Sequence, residues 1–144
     1  MRILIDADGC PVINLAIDIA KQYQIECILI CDTSHHFERE GATTITVSKG
    51  ADSVDFYLVN IVQTGDIVVT QDYGLASMCL ARKAVAINQN GMIYDEHNID
   101  SLLMSRYISK KIRSSGGRLK GPSKRTKEQD DDFVKMLTKL LRKF

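Results

Sequence analysis

No apolar run in the 144 residues approaches the ~20 needed for a membrane-spanning helix. Asp6 and Asp8 interrupt what would be the apolar core of a signal peptide, so the expected location is the cytoplasm. Cys10, Cys27, Cys31 and Cys79 include no CxxC pair, which removes the common zinc patterns. Cys27 and Cys31 share a strand-like run; at ~3.3 Å per residue they lie roughly 13 Å apart, too far to bond to each other. All four read as small buried hydrophobes in a reducing compartment. Internal repeats, low-complexity stretches and the spacing of a P-loop are absent as well.

What is present is enough for one compact domain with a real core, and too little for two. Hydrophobic residues make up 44% and charged residues 26%, the balance of a globular protein. The net charge of +1 hides a division. Residues 1–105 carry 6 Lys and Arg against 14 Asp and Glu, a net of −8, while residues 106–144 carry 13 against 4, a net of +9. An acidic body with a basic tail suits a polyanion steered to an otherwise repulsive site. It equally suits a tail that folds back and neutralises the body.

Apolar spacing predicts alternating strands and helices. Ile3–Ile5 opens as a strand, and Pro11 starts a helix through Val12, Leu15, Ala16, Ile19 and Ala20 to about Gln24. Ile25–Cys31 is a buried strand and Thr43–Val47 a third. Asp52 begins a helix through Val54, Leu58, Ile61 and Val62, ended by Gly65. Asp66–Thr70 is a fourth strand, Asp72 opens a helix to Arg82, and Ala84–Ile87 is a fifth strand. A helix from Ile99 runs to about Ile112. The basic, glycine-rich stretch 113–125 follows. Thr126 and Gln129 then fit the capping box of a last helix, striped by Phe133, Met136, Leu137, Leu140, Leu141 and Phe144. That stripe must be buried on the body or on a second subunit, with a homodimer as one outcome. The expected layout is an α/β domain over 1–112, its sheet mostly parallel and covered on both faces, followed by the basic segment and helix of 113–144.

Sites in such sheets form beyond the carboxyl ends of the strands. Asp6 and Asp8 follow the first strand, Asp32 ends the second, and Asp72 follows the fourth. Asp52 and Asp55 lie in the first turn of a helix, with Asp55 on its core-facing side. Carboxylates at the end of a buried strand are costly unless protonated, hydrogen-bonded or balanced by a cation. This set of hard oxygens suits Mg²⁺ or Mn²⁺. Each acid also has a plain role: Asp52 and Asp72 as helix caps, Asp55 as a dipole partner, Asp32 as a turn former and Asp66, on the opposite edge, as structural. His35 and His36 read as exposed loop residues, and Phe56 and Tyr73 as packing. Arg113, Arg118, Lys120, Lys124 and Arg125 are the candidates for holding a phosphate backbone.

The stretches DADGCPV, GADSVDFYLV, GDIVVTQDYGLA, INQNGMIY and RSSGGRLKGPSKRTKEQDDDF, in that order, resemble the YaiI/YqxD family of uncharacterised bacterial proteins. The resemblance covers nearly the whole chain. It implies a PIN-like three-layer α/β fold, related to metal-dependent ribonucleases whose acids lie after the first strand, on a central helix and in a later T-x-D. Here those places hold Asp6 with Asp8, Asp52 with Asp55, and Thr70-Gln71-Asp72. The expected activity is a divalent-metal-dependent phosphodiesterase acting on RNA or another nucleic acid. Asp6, Asp55 and Asp72 would hold Mg²⁺ or Mn²⁺, with Asp8 and Asp52 behind them or on another ion. Two other readings stand beside it. One is a non-catalytic module that binds metal and nucleic acid. The other is a phosphatase similar to the haloacid dehalogenases, with Asp6 as nucleophile and Asp8 as general acid, although that family's late pair of acids is missing.

Overall fold

The computed structural model describes residues 1–33, 38–50, 52–116 and 124–143. Five strands, β1 (Arg2–Asp6), β2 (Glu26–Asp32), β3 (Thr43–Val47), β4 (Ile67–Val69) and β5 (Val85–Ile87), form one sheet in the order β3-β2-β1-β4-β5. Every pairing among these five strands is parallel, so the mostly parallel sheet expected from the alternation is all-parallel. Ile3, Leu4 and Ile5 of the central strand are fully buried on both faces, which is why that strand reads as a continuous apolar run.

Strand parity sorts the core into two layers. Ile3, Ile5, Cys27, Leu29, Ile67, Val69 and Ile87 face α1 (Ile13–Tyr23) and α5 (Lys127–Arg142). Leu4, Ile28, Ile30, Val68 and Ala86 face α2 (Ser53–Ile61), α3 (Tyr73–Ala81) and the start of α4 (Glu96–Ser114). Because side chains alternate along a strand, Asp6 follows Leu4, Asp32 follows Ile30 and Thr70 follows Val68 onto the α2–α3 side. The order 3-2-1-4-5 reverses direction between β1 and β4. The crevice of a doubly wound sheet opens at that switch, beyond the ends carrying Asp6 and Thr70.

The helices have local causes. Thr126 and Gln129 cap α5 reciprocally, as their spacing predicts, and Glu128 and Asp130 favour its N-terminal dipole. Its buried Phe133, Leu137, Leu140 and Leu141 lie in the α1 layer. Of the two destinations open to that stripe, the body is the one observed for these four residues; Phe144 lies outside the described residues. Asp95 and Asn98 form a second capping box, so α4 begins about one turn before Ile99 and runs through Ser114, across the boundary expected at 112. α2 ends at Ile61, short of Gly65, whose φ of +88° instead turns the chain into β4.

At the amino ends of the strands, Asp66 is buried and accepts from the Arg2 amide at 3.1 Å, Arg2 Nη2 at 2.7 Å and the Gln63 amide at 2.8 Å. These bonds satisfy a carboxylate that would otherwise be costly to bury, and its role is structural. The four cysteines are free thiols, with Cys27, Cys31 and Cys79 buried. Among the described residues no helix is long and apolar enough to cross a membrane.

Candidate functional site

Thr70 is the pivot of the acidic edge. It is 2% exposed, and its hydroxyl donates to Asp6 Oδ2 at 2.8 Å while accepting from the Asp72 amide at 3.0 Å. Its backbone is held from both sides, since its amide donates to the Ile87 carbonyl at 3.0 Å and its carbonyl accepts from buried Tyr94 Oη at 3.0 Å. One side chain thus ties the end of β1 to the start of α3. The resemblance marks Thr70 only as part of a T-x-D stretch; the signal that identifies its role is its alternation with Val68 at a strand end.

Asp72 caps α3, with Oδ1 accepting from the Gly74 amide at 2.8 Å and the Leu75 amide at 3.1 Å. That cap fixes one oxygen of Asp72 at the start of α3, where its charge acts on Asp55 of α2. The plain role and the site role therefore coincide in Asp72. Burial pushes the Asp6 carboxyl up to about 6; the Thr70 hydroxyl opposes this, and the charges of Asp72 and Asp8 add to it. Asp55 is also pushed up to about 6, first by burial, then by the charges of Asp72, Asp6 and Asp52. Beneath the cluster the Tyr94 hydroxyl and Cys79 thiol are each raised to about 12 by burial, reinforced by the nearby acids. These two groups stay neutral.

The remaining acids stand differently. Asp8 turns toward β2, where Oδ2 accepts from the Asp32 amide at 3.1 Å. Its turn is tied to the T-x-D loop by Gln71 Nε2, which donates to the Gly9 carbonyl at 2.8 Å. Asp52 occupies the N-cap position of α2 in the left-handed region, with φ of 63° and no capping bond from its side chain. Exposed there, it acts on Asp55 through its charge. Among the described residues no three His, Cys, Asp or Glu side chains are grouped as a ready metal cage. The arrangement is instead an open group of carboxylates, two of them raised chiefly by burial and further by their neighbours' negative charge.

The basic candidates separate. Arg113 is exposed at the end of α4, and Lys124 is exposed ahead of α5. Arg118 and Lys120, like His35 and His36, lie outside the described residues. Arg125 is engaged at all three nitrogens: Nε with Asp130 at 2.7 Å, Nη1 with Asn90 Oδ1 at 2.7 Å and Nη2 with the Gln89 carbonyl at 2.6 Å. It pins the start of α5 to the loop after β5. Arg106, not among those candidates, lies over the Tyr73 ring with Cζ at 5.9 Å from its centroid, next to Asp72. Phe56, expected to pack, is 66% exposed, because it sits on the outer side of α2 beside Asp55.

Thr70→Val removes both hydroxyl bonds while keeping the shape. The expected cost is about 1–2 kcal/mol in urea unfolding, with the Asp6 carboxyl titrating higher still. Carboxyl ¹³C titration would show it; an unmoved Asp6 would mean that the hydroxyl does not govern that group.

Fold and site together define an all-parallel α/β protein with an acidic crevice at the topological switch of its sheet. The chain belongs to the YaiI/YqxD family: residues 4–143 match a family model described as "Uncharacterized BCR, YaiI/YqxD family". It is 53% identical to a UPF0178 protein of Exiguobacterium sibiricum over 141 residues, covering 98% of this chain and 96% of that one. It is 53% identical to a UPF0178 protein of Ruminiclostridium cellulolyticum over 137 residues, covering 95% and 90%. A UPF0178 protein of Clostridium acetobutylicum is 44% identical over 143 residues, covering 98% and 97%. No solved structure matches the chain.

Proposed function

We propose that this protein is a divalent-metal-dependent phosphodiesterase acting on nucleic acid, most simply RNA. The observation that carries the reading is the convergence of Asp6, Asp55 and Asp72 from β1, α2 and α3 on one crevice, with Asp6 and Asp55 both raised to about 6. Purely structural carboxylates are usually matched by cations or several donors, as Asp66 is by Arg2 and Gln63. Asp6 and Asp55 are instead raised by burial and by the charge of the capping Asp72, with Asp6 adding to the rise of Asp55, and Mg²⁺ or Mn²⁺ would balance them with the hard oxygen ligands it prefers. The positions are also those at which PIN-like nucleases carry their acids.

Bound there, such an ion would neutralise phosphate charge and make water a stronger nucleophile. The chain's own residues do the placing. Thr70 fixes one oxygen of Asp6, and the α3 cap fixes one oxygen of Asp72, leaving their other oxygens for the ion. Asp55 would complete the set from α2, with Asp8 and Asp52 adding charge at its margins. A phosphate backbone approaching this edge is repelled by the acids, so the exposed cations Arg113 and Lys124, with Arg118 and Lys120 of the same basic stretch, would hold it.

Mn²⁺-dependent cleavage of single-stranded RNA by wild type and Asp6→Asn tests the proposal. The expected loss in the variant is at least about 100-fold. Equal traces of activity in both would indicate contamination and overturn the assignment. RNA retention that falls steeply with salt, without turnover, would select the non-catalytic binding module instead.

A further inference from the structure

α4 is a helix with an uncovered face. Of its 19 residues only Ile99 is buried, whereas Leu103, Met104, Tyr107, Ile108 and Ile112 are between 37% and 59% exposed. At ~100° per residue these five fall on one side, a stripe larger than scattered surface apolar residues require. Among the described residues α4 packs chiefly on α3 and runs antiparallel to it. Its first turns share a cavity with Ser77, Leu80 and Ala81 at the end of α3, while Arg106 lies over Tyr73 at the start. The residues beyond Arg106 therefore continue past the start of α3 with the stripe exposed.

We propose that this face pairs with the same face of a second copy of the chain, α4 against α4, antiparallel about a two-fold axis. The charges on the face select this occupant. Glu96 and Asp100 are exposed at the rim of the cavity shared with α3, and by helical spacing they adjoin the stripe at one end as exposed Lys111 does at the other. Rotation by a half turn sets Asp100 of one copy opposite Lys111 of the other. The same register sets Leu103 opposite Ile108 and Met104 opposite Tyr107, apolar against apolar along the seam. Such self-complementarity is what an isologous interface requires. Nucleic acid or an anionic lipid surface would meet Glu96 and Asp100 as repulsive neighbours of the apolar stripe. α5 does not compete for the role, since its stripe is buried within the chain.

Sedimentation across a dilution series, on the full chain, tests the pairing. The expected particle is a dimer of about 32 kDa, twice the 16.1 kDa chain. Met104→Glu with Ile108→Glu should yield monomer with an unchanged circular dichroism spectrum, as both side chains are exposed. Asp100→Lys should weaken the dimer at least about tenfold, and adding Lys111→Glu should restore it. Rescue by the second charge reversal is an outcome that misfolding cannot imitate. A monomer at every concentration would overturn the proposal, as would a dimer indifferent to all four substitutions. So would a monomer that binds phosphatidylcholine–phosphatidylserine vesicles through Met104 and Ile108, which would assign the face to lipid.

Discussion

In metal-free buffer at pH 7, Asp6→Asn should be more stable than the wild type by about 2–3 kcal/mol, or roughly 6–10 °C in Tm. Asp6 titrates near 6 in the fold against an ordinary value of 3.8, so the folded chain binds its proton more tightly than the unfolded chain does. Below about pH 4 the carboxyl is neutral in both states and imposes no penalty. As pH rises through about 6, the unfolded chain releases the proton easily while the folded chain must create a half-buried charge, so stability is lost. Asparagine never ionises, and its carboxamide oxygen can still accept from Thr70. The variant's advantage should therefore open between about pH 4 and 6 and level off above. Mn²⁺ should reverse the order by stabilising the wild type alone. A gain that is constant from pH 4 to 8 would show that the Asp6 charge is not its source. That reversal, if observed, would be an instance of the usual tension between stability and activity.

Gly91→Ala should cost about 3 kcal/mol, for a reason on the other side of the sheet. Gly91 turns the chain after β5 with φ of +83°, where an L side chain costs about 1–2 kcal/mol. A Cβ there would also stand 2.6 Å from the Asp132 carbonyl oxygen, 3.1 Å from its carbon and 3.2 Å from Met136 Cβ. The first two are α5 backbone, which cannot swing aside, so the helix must retreat from a layer that includes Phe133 and Leu137. Gly9→Ala is the control: its φ is +72°, but nothing lies within 4 Å of the added carbon. Urea unfolding of the two variants separates conformational strain from the clash. Equal losses would mean that α5 is not seated against this turn.

The elements were legible because their causes are local. Continuous apolar runs mark β1 and β2 as doubly covered strands, and Thr126 with Gln129 marks the start of α5. The start of α4 carries no such local mark, because its capping box uses Asp95 and Asn98, without the glutamate or glutamine of the usual signature. Phe56 is exposed despite its apolar character, which says nothing about which side of α2 meets the sheet. Arg125 looked like one more cation in a basic tail. Its partners, Gln89 and Asn90, lie 36 and 35 residues earlier, a proximity that no local pattern encodes.

Alternation of apolar strands and helices was sufficient to establish a three-layer α/β body, the carboxyl-end rule to place Asp6 and Asp72 at one edge, and helical spacing to turn Asp55 inward. All three follow from periodicity, which a single chain carries in full. Which acids actually meet was decided by packing. Parallel pairing of β1 with β4 brings Thr70 within hydrogen-bonding distance of Asp6, and the seating of α2 against α3 brings Asp55 to Asp72. The same packing leaves Asp8 on the Asp32 amide, spends Arg125 on the β5 loop and buries the stripe of α5 while exposing that of α4. Those outcomes depend on distances between segments far apart in the chain, which exist only once its layers have closed.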